Sequence, residues 1–183
     1  MIYDCNFFDW KQYDSNNRYI SKEFNTKSLK RRANLPITPG CYIWKMDNCI
    51  IYVGRTNNIR NRLGDHIFGK ISSFKKNAIY NTTARDTVAK FLLNNYNHEQ
   101  HINLTVEEKK NNPDYMKIWN QLQEIINQST FIIYSCKTSC DSESLERELI
   151  QKHLPKANNV MPKSGIIRDD KLVFGKESQT FNF

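Results

Sequence analysis

An α+β fold, with a small three-stranded antiparallel sheet flanked by helices and carrying a helical insertion, is predicted by three features of this chain. Two strand-like runs surround Asp47-Asn48, the apolar pattern switches to helical spacing soon after Gly54, and a further strand-like run returns at Thr130 to Cys136. Cys41 to Met46 and Ile50 to Val53 are rich in β-branched and aromatic residues and read as a hairpin. After Gly54, Ile59, Leu63 and Ile67 recur at four-residue spacing, one face of an amphipathic helix with Asn57 or Asn58 as its N-cap. Arg62 and His66 share a second face of that helix. Two helices follow: Asp86 to Tyr96, carrying Val88, Ala89, Phe91, Leu92 and Leu93, and Pro113 to Gln128, carrying Tyr115, Ile118, Trp119, Leu122, Ile125 and Ile126. Thr105-x-x-Glu108 between them is a capping-box pattern. Their aromatic stripe reads as core rather than as a base-stacking platform. Phe131-Ile132-Ile133-Tyr134 forms the third strand, and a last helix starts near Asp141 or Ser142 and buries Leu145, Leu149 and Ile150.

The register of the first hairpin decides whether its tyrosines work together. They sit in two short glycine signatures, Gly40-Cys41-Tyr42 and Tyr52-Val53-Gly54. Side chains alternate along a strand, so a two-residue loop at Asp47-Asn48 would pair Tyr42 with Val53 and send Tyr52 to the opposite face. A three-residue loop, Asp47-Asn48-Cys49, pairs Trp44 with Tyr52 instead. Tyr42, Trp44 and Tyr52 then share one face, leaving Cys41, Ile43, Ile51 and Val53 for the core. The odd loop is the expectation.

At 183 residues the chain is long enough to bury a core without staples. A formal charge of +8 favours a polyanionic partner. The cations cluster: Arg18, Lys22, Lys27, Lys30, Arg31 and Arg32 precede the hairpin, and Arg55, Arg60, Arg62, Lys70, Lys75 and Lys76 run through and past the helix that follows. Cys5, Cys41, Cys49, Cys136 and Cys140 show no paired metal-ligand spacing, which argues against a zinc module. His98 and His101 read as surface residues. With no signal peptide and no long apolar run, the expected setting is reducing cytoplasm, with free thiols and no membrane contact.

Gly40-x-Tyr42, then Tyr52-Val53-Gly54, then Arg62, followed much later by Leu145-Glu146-Arg147-Glu148-Leu149-Ile150 and Pro155-Lys156-Ala157-Asn158, resembles the GIY-YIG nuclease superfamily. That superfamily includes homing endonucleases, an excision-repair nuclease and some restriction enzymes. The resemblance implies a GIY-YIG nuclease domain over 39–160 with a helical insertion at about 70–129, between a basic N-terminal arm at 1–38 and a C-terminal tail at 161–183. The implied activity is Mg²⁺-dependent hydrolysis of DNA phosphodiester bonds, with Mn²⁺ as a substitute. Arg62 would grip the phosphoryl group, since a guanidinium is permanently charged and forked. Glu146 would hold the metal; Glu148 is the competing carboxylate, and Glu146 is preferred because its spacing to Ile150, Pro155 and Asn158 fits the family. Tyr42, Tyr52 and His66 are the candidates for handling the nucleophile's proton, with Tyr42 and His66 both standing as the base. Asn158 would fix the geometry of the site. Arg55 would contact phosphate, and Arg31, Arg32 and Lys70 the DNA.

No helix-turn-helix, helix-hairpin-helix, zinc finger or internal repeat is visible. A self-contained, restriction-type endonuclease therefore fits best, and a palindromic target would imply a homodimer or two sequential cuts. The alternatives are a structure-specific repair or recombination nuclease, and a non-catalytic nucleic-acid-binding protein with a nuclease fold.

Overall fold

Four strands of seven or eight residues build one antiparallel sheet, extended at its edge by a two-residue fifth. A computed structural model describes residues 11–12, 19–76 and 80–160. The strands are β1 (Lys11–Gln12), β2 (Tyr19–Asn25), β3 (Gly40–Met46), β4 (Cys49–Thr56) and β5 (Thr130–Cys136), in the order β1-β2-β5-β3-β4. The helices are α1 (Ile59–Phe68), α2 (Tyr80–Leu92), α3 (His98–His101), α4 (Val106–Asn111), α5 (Pro113–Gln128) and α6 (Ser139–His153).

The three expected strands are thus β3, β4 and β5, and the sheet is wider than the sequence predicts. Tyr19–Asn25, read as part of a basic arm, pairs along its whole length with β5. Its polar residues hid it: Ser21, Lys22, Glu23 and Asn25 break the apolar alternation, and its two buried residues lie on opposite faces, Phe24 beside Phe131 and Ser21 beside Tyr134. The tail at 161–183, Arg18 and Cys5 lie outside the described residues.

The sheet divides two apolar layers. On one side Phe24, Tyr42, Trp44, Tyr52, Phe131 and Ile133 pack with Ile59, Leu63 and Ile67 of α1, and with Val88, Trp119, Leu122 and Ile126 of α2 and α5. On the other, Cys41, Ile43, Val53, Tyr134 and Cys136 meet Leu145 and Leu149 of α6. Trp44 is fully buried on the first side and its indole N–H donates to Ser129 Oγ at 2.8 Å, so the ring's one polar atom is satisfied. No helix among the described residues is long and apolar enough to cross a membrane.

The hairpin reaches the expected pairing by an unexpected route. Met46 pairs with Cys49, so the loop is the two residues Asp47-Asn48, with Asp47 in the left-handed region at φ 49°. Trp44 nevertheless pairs with Tyr52, because the register slips between Trp44 and Lys45 and leaves Ile51 without a partner. The extra residue is a β-bulge, which does what a third loop residue would have done. It also moves Ile51 into the layer of Tyr42 and Tyr52, while Ile50 packs on the other face.

Cap chemistry explains the helix starts. Asn58 accepts from the Asn61 N–H ahead of α1, and Thr105 and Glu108 form the expected capping box of α4. α6 begins at Ser139, earlier than expected, because Thr138 and Asp141 form a second capping box.

The segment between α1 and β5 is tied down by buried charge. Lys109 Nζ meets Asp86 Oδ2 at 2.5 Å and Thr82 Oγ1 at 2.9 Å, and the Tyr115 phenol donates to Asp86 Oδ1 at 2.6 Å. His101, expected at the surface, is buried and stacks on Tyr96. Replacing Lys109 by Met strands the Asp86 carboxylate and is expected to cost roughly 3–5 kcal/mol in urea unfolding. Adding Asp86→Asn should recover most of that loss, and an unmoved urea midpoint for Lys109→Met would show the pair to be dispensable.

Candidate active site

The bulge sets Tyr42 directly opposite Gly54, with Tyr52 on the same face of the sheet. A side chain at position 54 would not fit: a Cβ there would lie 2.7 Å from Tyr42 Cζ and Oη and from Tyr52 Cε1. The glycine lets the two phenols close over the strand, their ring centroids 6.0 Å apart.

Helix α1 brings two more groups to the same place. His66 is buried at 1 % exposure, not a surface histidine, and its Nε2 lies 3.1 Å from the Tyr42 oxygen. Arg62 donates to that oxygen, and Tyr52 hydrogen-bonds it as well. The Tyr42 hydrogen reaches His66 Nε2 when the imidazole is neutral with its own hydrogen on Nδ1. Burial pushes His66 well below the ordinary histidine range, and the Arg62 and Arg85 cations push it further. Burial raises both phenols, with Arg62 acting against it. Arg62 itself is pulled down by burial, but Tyr42, Tyr52 and Asp65 more than offset this and keep it firmly charged.

Glu146 arrives from the other layer. β4 is the edge strand, and alternation turns Arg55 toward α6, where its Nε meets Glu146 Oε2 at 3.2 Å. The Arg55 backbone N–H also bonds this carboxylate. Burial raises Glu146, Arg55 lowers it, and Glu143 raises it again. Tyr42 and Tyr52 both lie within electrostatic range of Glu146, whose charge raises them further. Glu148 sits on the exposed side of α6, two residues and more than half a turn from Glu146.

Asn158 completes the edge. Its Oδ1 accepts from Val53 N at 2.8 Å and its Nδ2 donates to Val53 O at 2.6 Å. A single carboxamide thereby stands in for the strand that β4 lacks, and it pins the residue between Tyr52 and Gly54.

The expected DNA contacts are less uniform. Arg31 and Lys70 are exposed. Arg32 is tied to Asp65 at 2.5 Å and covers Gly64, and Arg55 is held by Glu146 with Glu143 at 3.8 Å. Two residues escaped the sequence reading. Glu143 lies one turn ahead of Glu146 on the same helix face and was visible as spacing. Arg85 left no signal, because only the packing of α2 against α1 brings it beneath His66.

Residues 38–112 match the GIY-YIG catalytic domain. The match spans the hairpin, Arg62, His66 and α2 to α4, and it ends before Glu146 and Asn158, whose place rests on the contacts above. Removing the Asn158 carboxamide leaves a buried backbone pair unbonded. Asn158→Ala is expected to lose about 1–3 kcal/mol of stability, and to speed hydrogen exchange at the Val53 amide; unchanged Val53 exchange would contradict this account of the edge.

Proposed function

We propose that this chain, which carries the catalytic domain of the GIY-YIG nuclease superfamily and is an endonuclease, cuts DNA with Arg62 on the phosphoryl group, a Mg²⁺ ion at Glu146, and the Tyr42–His66 pair as proton acceptor. The observation that carries this reading is the meeting of Arg62, two phenols and a neutral imidazole at one oxygen, with Glu146 in electrostatic reach.

The donor set fits a weakly held hard cation. Glu146 offers carboxylate oxygens on a side chain that is 24 % exposed. Among the described residues no group of three or more His, Cys, Asp or Glu side chains is placed to enclose a metal. A single carboxylate suits Mg²⁺, with Mn²⁺ as a substitute, because such an ion keeps most of its waters and takes further oxygens from substrate. When bound, the ion supplies positive charge at the phosphoryl and leaving oxygens. Arg55, now held by Glu146, would be released to a phosphate oxygen if an ion took that carboxylate.

The chain's own groups handle the proton. Once Arg62 turns to the phosphate, one acceptor position at the Tyr42 oxygen opens to the attacking water. As the water oxygen bonds to phosphorus and the opposite P–O bond breaks, the water's proton passes to Tyr42 while the phenol's own passes to His66 Nε2. Tyr52 holds the phenol in line, and Asn158 holds the strand beneath it. Arg31 and Lys70 remain open for backbone contacts along the duplex.

Arg62→Ala and Glu146→Gln are each expected to lower kcat on plasmid DNA by about 10²–10³-fold. Glu146→Gln should keep its DNA affinity and its salt slope. A parent protein that binds DNA in a salt-sensitive way yet cuts nothing with Mg²⁺ or Mn²⁺ would leave a binding module in place of an enzyme. Sequencing the ends produced from methylated and unmethylated genomic DNA fixes the target class: short constant sequences mark a restriction-type enzyme, and branch or flap positions a repair nuclease.

A further inference from the structure

The insertion carries an expensive group with no established task. Arg85 of α2 is buried at 1 % exposure, and its neighbour Asp86 is already committed to Lys109 and Tyr115. Among the described residues Arg85 has no carboxylate within ion-pair distance, and its Nε and Nη1 find no acceptor. Removing a cation from water without a paired anion costs several kcal/mol.

What it does touch is the end of the catalytic helix. The Gly69 N–H closes on Asp65 O, and the next two carbonyls of α1, those of His66 and Ile67, are taken by side chains of the insertion. Arg85 Nη2 donates to His66 O at 2.5 Å, and Gln123 Nε2 donates to Ile67 O at 2.9 Å. Arg85 also donates to Gln123 Oε1 and lies flat on Trp119, its Cζ 3.8 Å from the ring centroid. Arg85, Gln123 and Trp119 thus form a bracket from α2 and α5 around the negative end of α1. One helical turn separates this bracket from Arg62, and His66 itself bears the contact.

We propose that Arg85 is a positioning residue of the nuclease: it clamps the last turn of α1 so that His66 Nε2 faces the Tyr42 phenol, and it sets its cation beside that imidazole. This deepens the proton-transfer reading above and rests on it. The groups facing His66 are Tyr42 from β3, Arg62 on its own helix, and Arg85 from α2, with the uncharged Gln123 behind Arg85 from α5. Burial and both cations act in the same direction on His66. Burial also pulls Arg85 down to about 9, which still leaves it a cation at neutral pH. The sign follows: taking away the Arg85 charge lets His66 accept a proton at higher pH. A protonated imidazole accepts nothing from Tyr42, so the acid limb of kcat moves upward with it.

The test is an NMR titration of histidine-labelled full-length protein, with the His66 signal assigned by its loss in His66→Gln, run beside pH profiles of DNA cleavage. In Arg85→Met, His66 is expected to titrate at higher pH, with kcat at neutral pH down by roughly 10- to 100-fold and KM for DNA little changed. Arg85→Lys keeps the charge and should restore the low His66 titration and part of kcat. Gln123→Glu sets a carboxylate beside Arg85 at a half-buried position, and it should move His66 in the same direction as Arg85→Met without deleting the guanidinium. That variant decides the question if Arg85→Met does not fold. A folded Arg85→Met or Gln123→Glu protein whose His66 titration and kcat profile match the parent would overturn the proposal and leave Arg85 a helix cap. The titration needs no turnover, so an inactive parent would sink the hydrolytic reading while the His66 shift still reported on Arg85.

Discussion

The unpaired Ile51 in β4 is the constraint on which the site depends. With a two-residue turn and regular pairing, Tyr52 would face α6 and Tyr42 would face α1, with the sheet between them. One extra residue on the edge strand reverses the alternation once, and both phenols fall on the same side. Everything that converges afterwards, including the fit of Gly54 beneath the rings and the reach of α1 to the Tyr42 oxygen, presupposes that slip.

The edge position of β4 is the second requirement. Groups on opposite faces of a sheet are ordinarily kept apart by the backbone, yet Tyr42 lies within electrostatic range of both Glu146 on α6 and Arg62 on α1. A free strand edge with a glycine on it gives both layers access. The cost is an unpaired backbone, and Asn158 removes that liability by bonding both polar groups of Val53. Asn158 is therefore better understood as a substitute for a neighbouring strand than as a turn residue.

Charge in the segment between α1 and β5 serves two ends. Lys109, Asp86 and Tyr115 form a closed buried set that fixes α2, α4 and α5 against one another. Arg85 stands next to that set without joining it and turns toward α1. The segment between α1 and β5 is thereby joined to the C-terminal carbonyls of α1.

Local signals in the sequence determined the hairpin strands, α1 with Asn57 or Asn58 at its start, and the bounds of α5 and β5, because each depends on spacing within one element. The tyrosines, Arg62, His66 and Glu146 stood out as candidates only through the resemblance of two blocks far apart in the chain to one family. The wider sheet was hidden because β2 is a polar strand whose pairing with β5 joins distant parts of the chain. The bulge was hidden because a loop of three and a loop of two plus a bulge produce the same facing residues. The pairing of Glu146 with Arg55, the burial of His66, and the bracket of Arg85 and Gln123 on α1 were settled only by packing between elements. Such contacts are set by how layers stack, and no repeat or motif within a single segment encodes them.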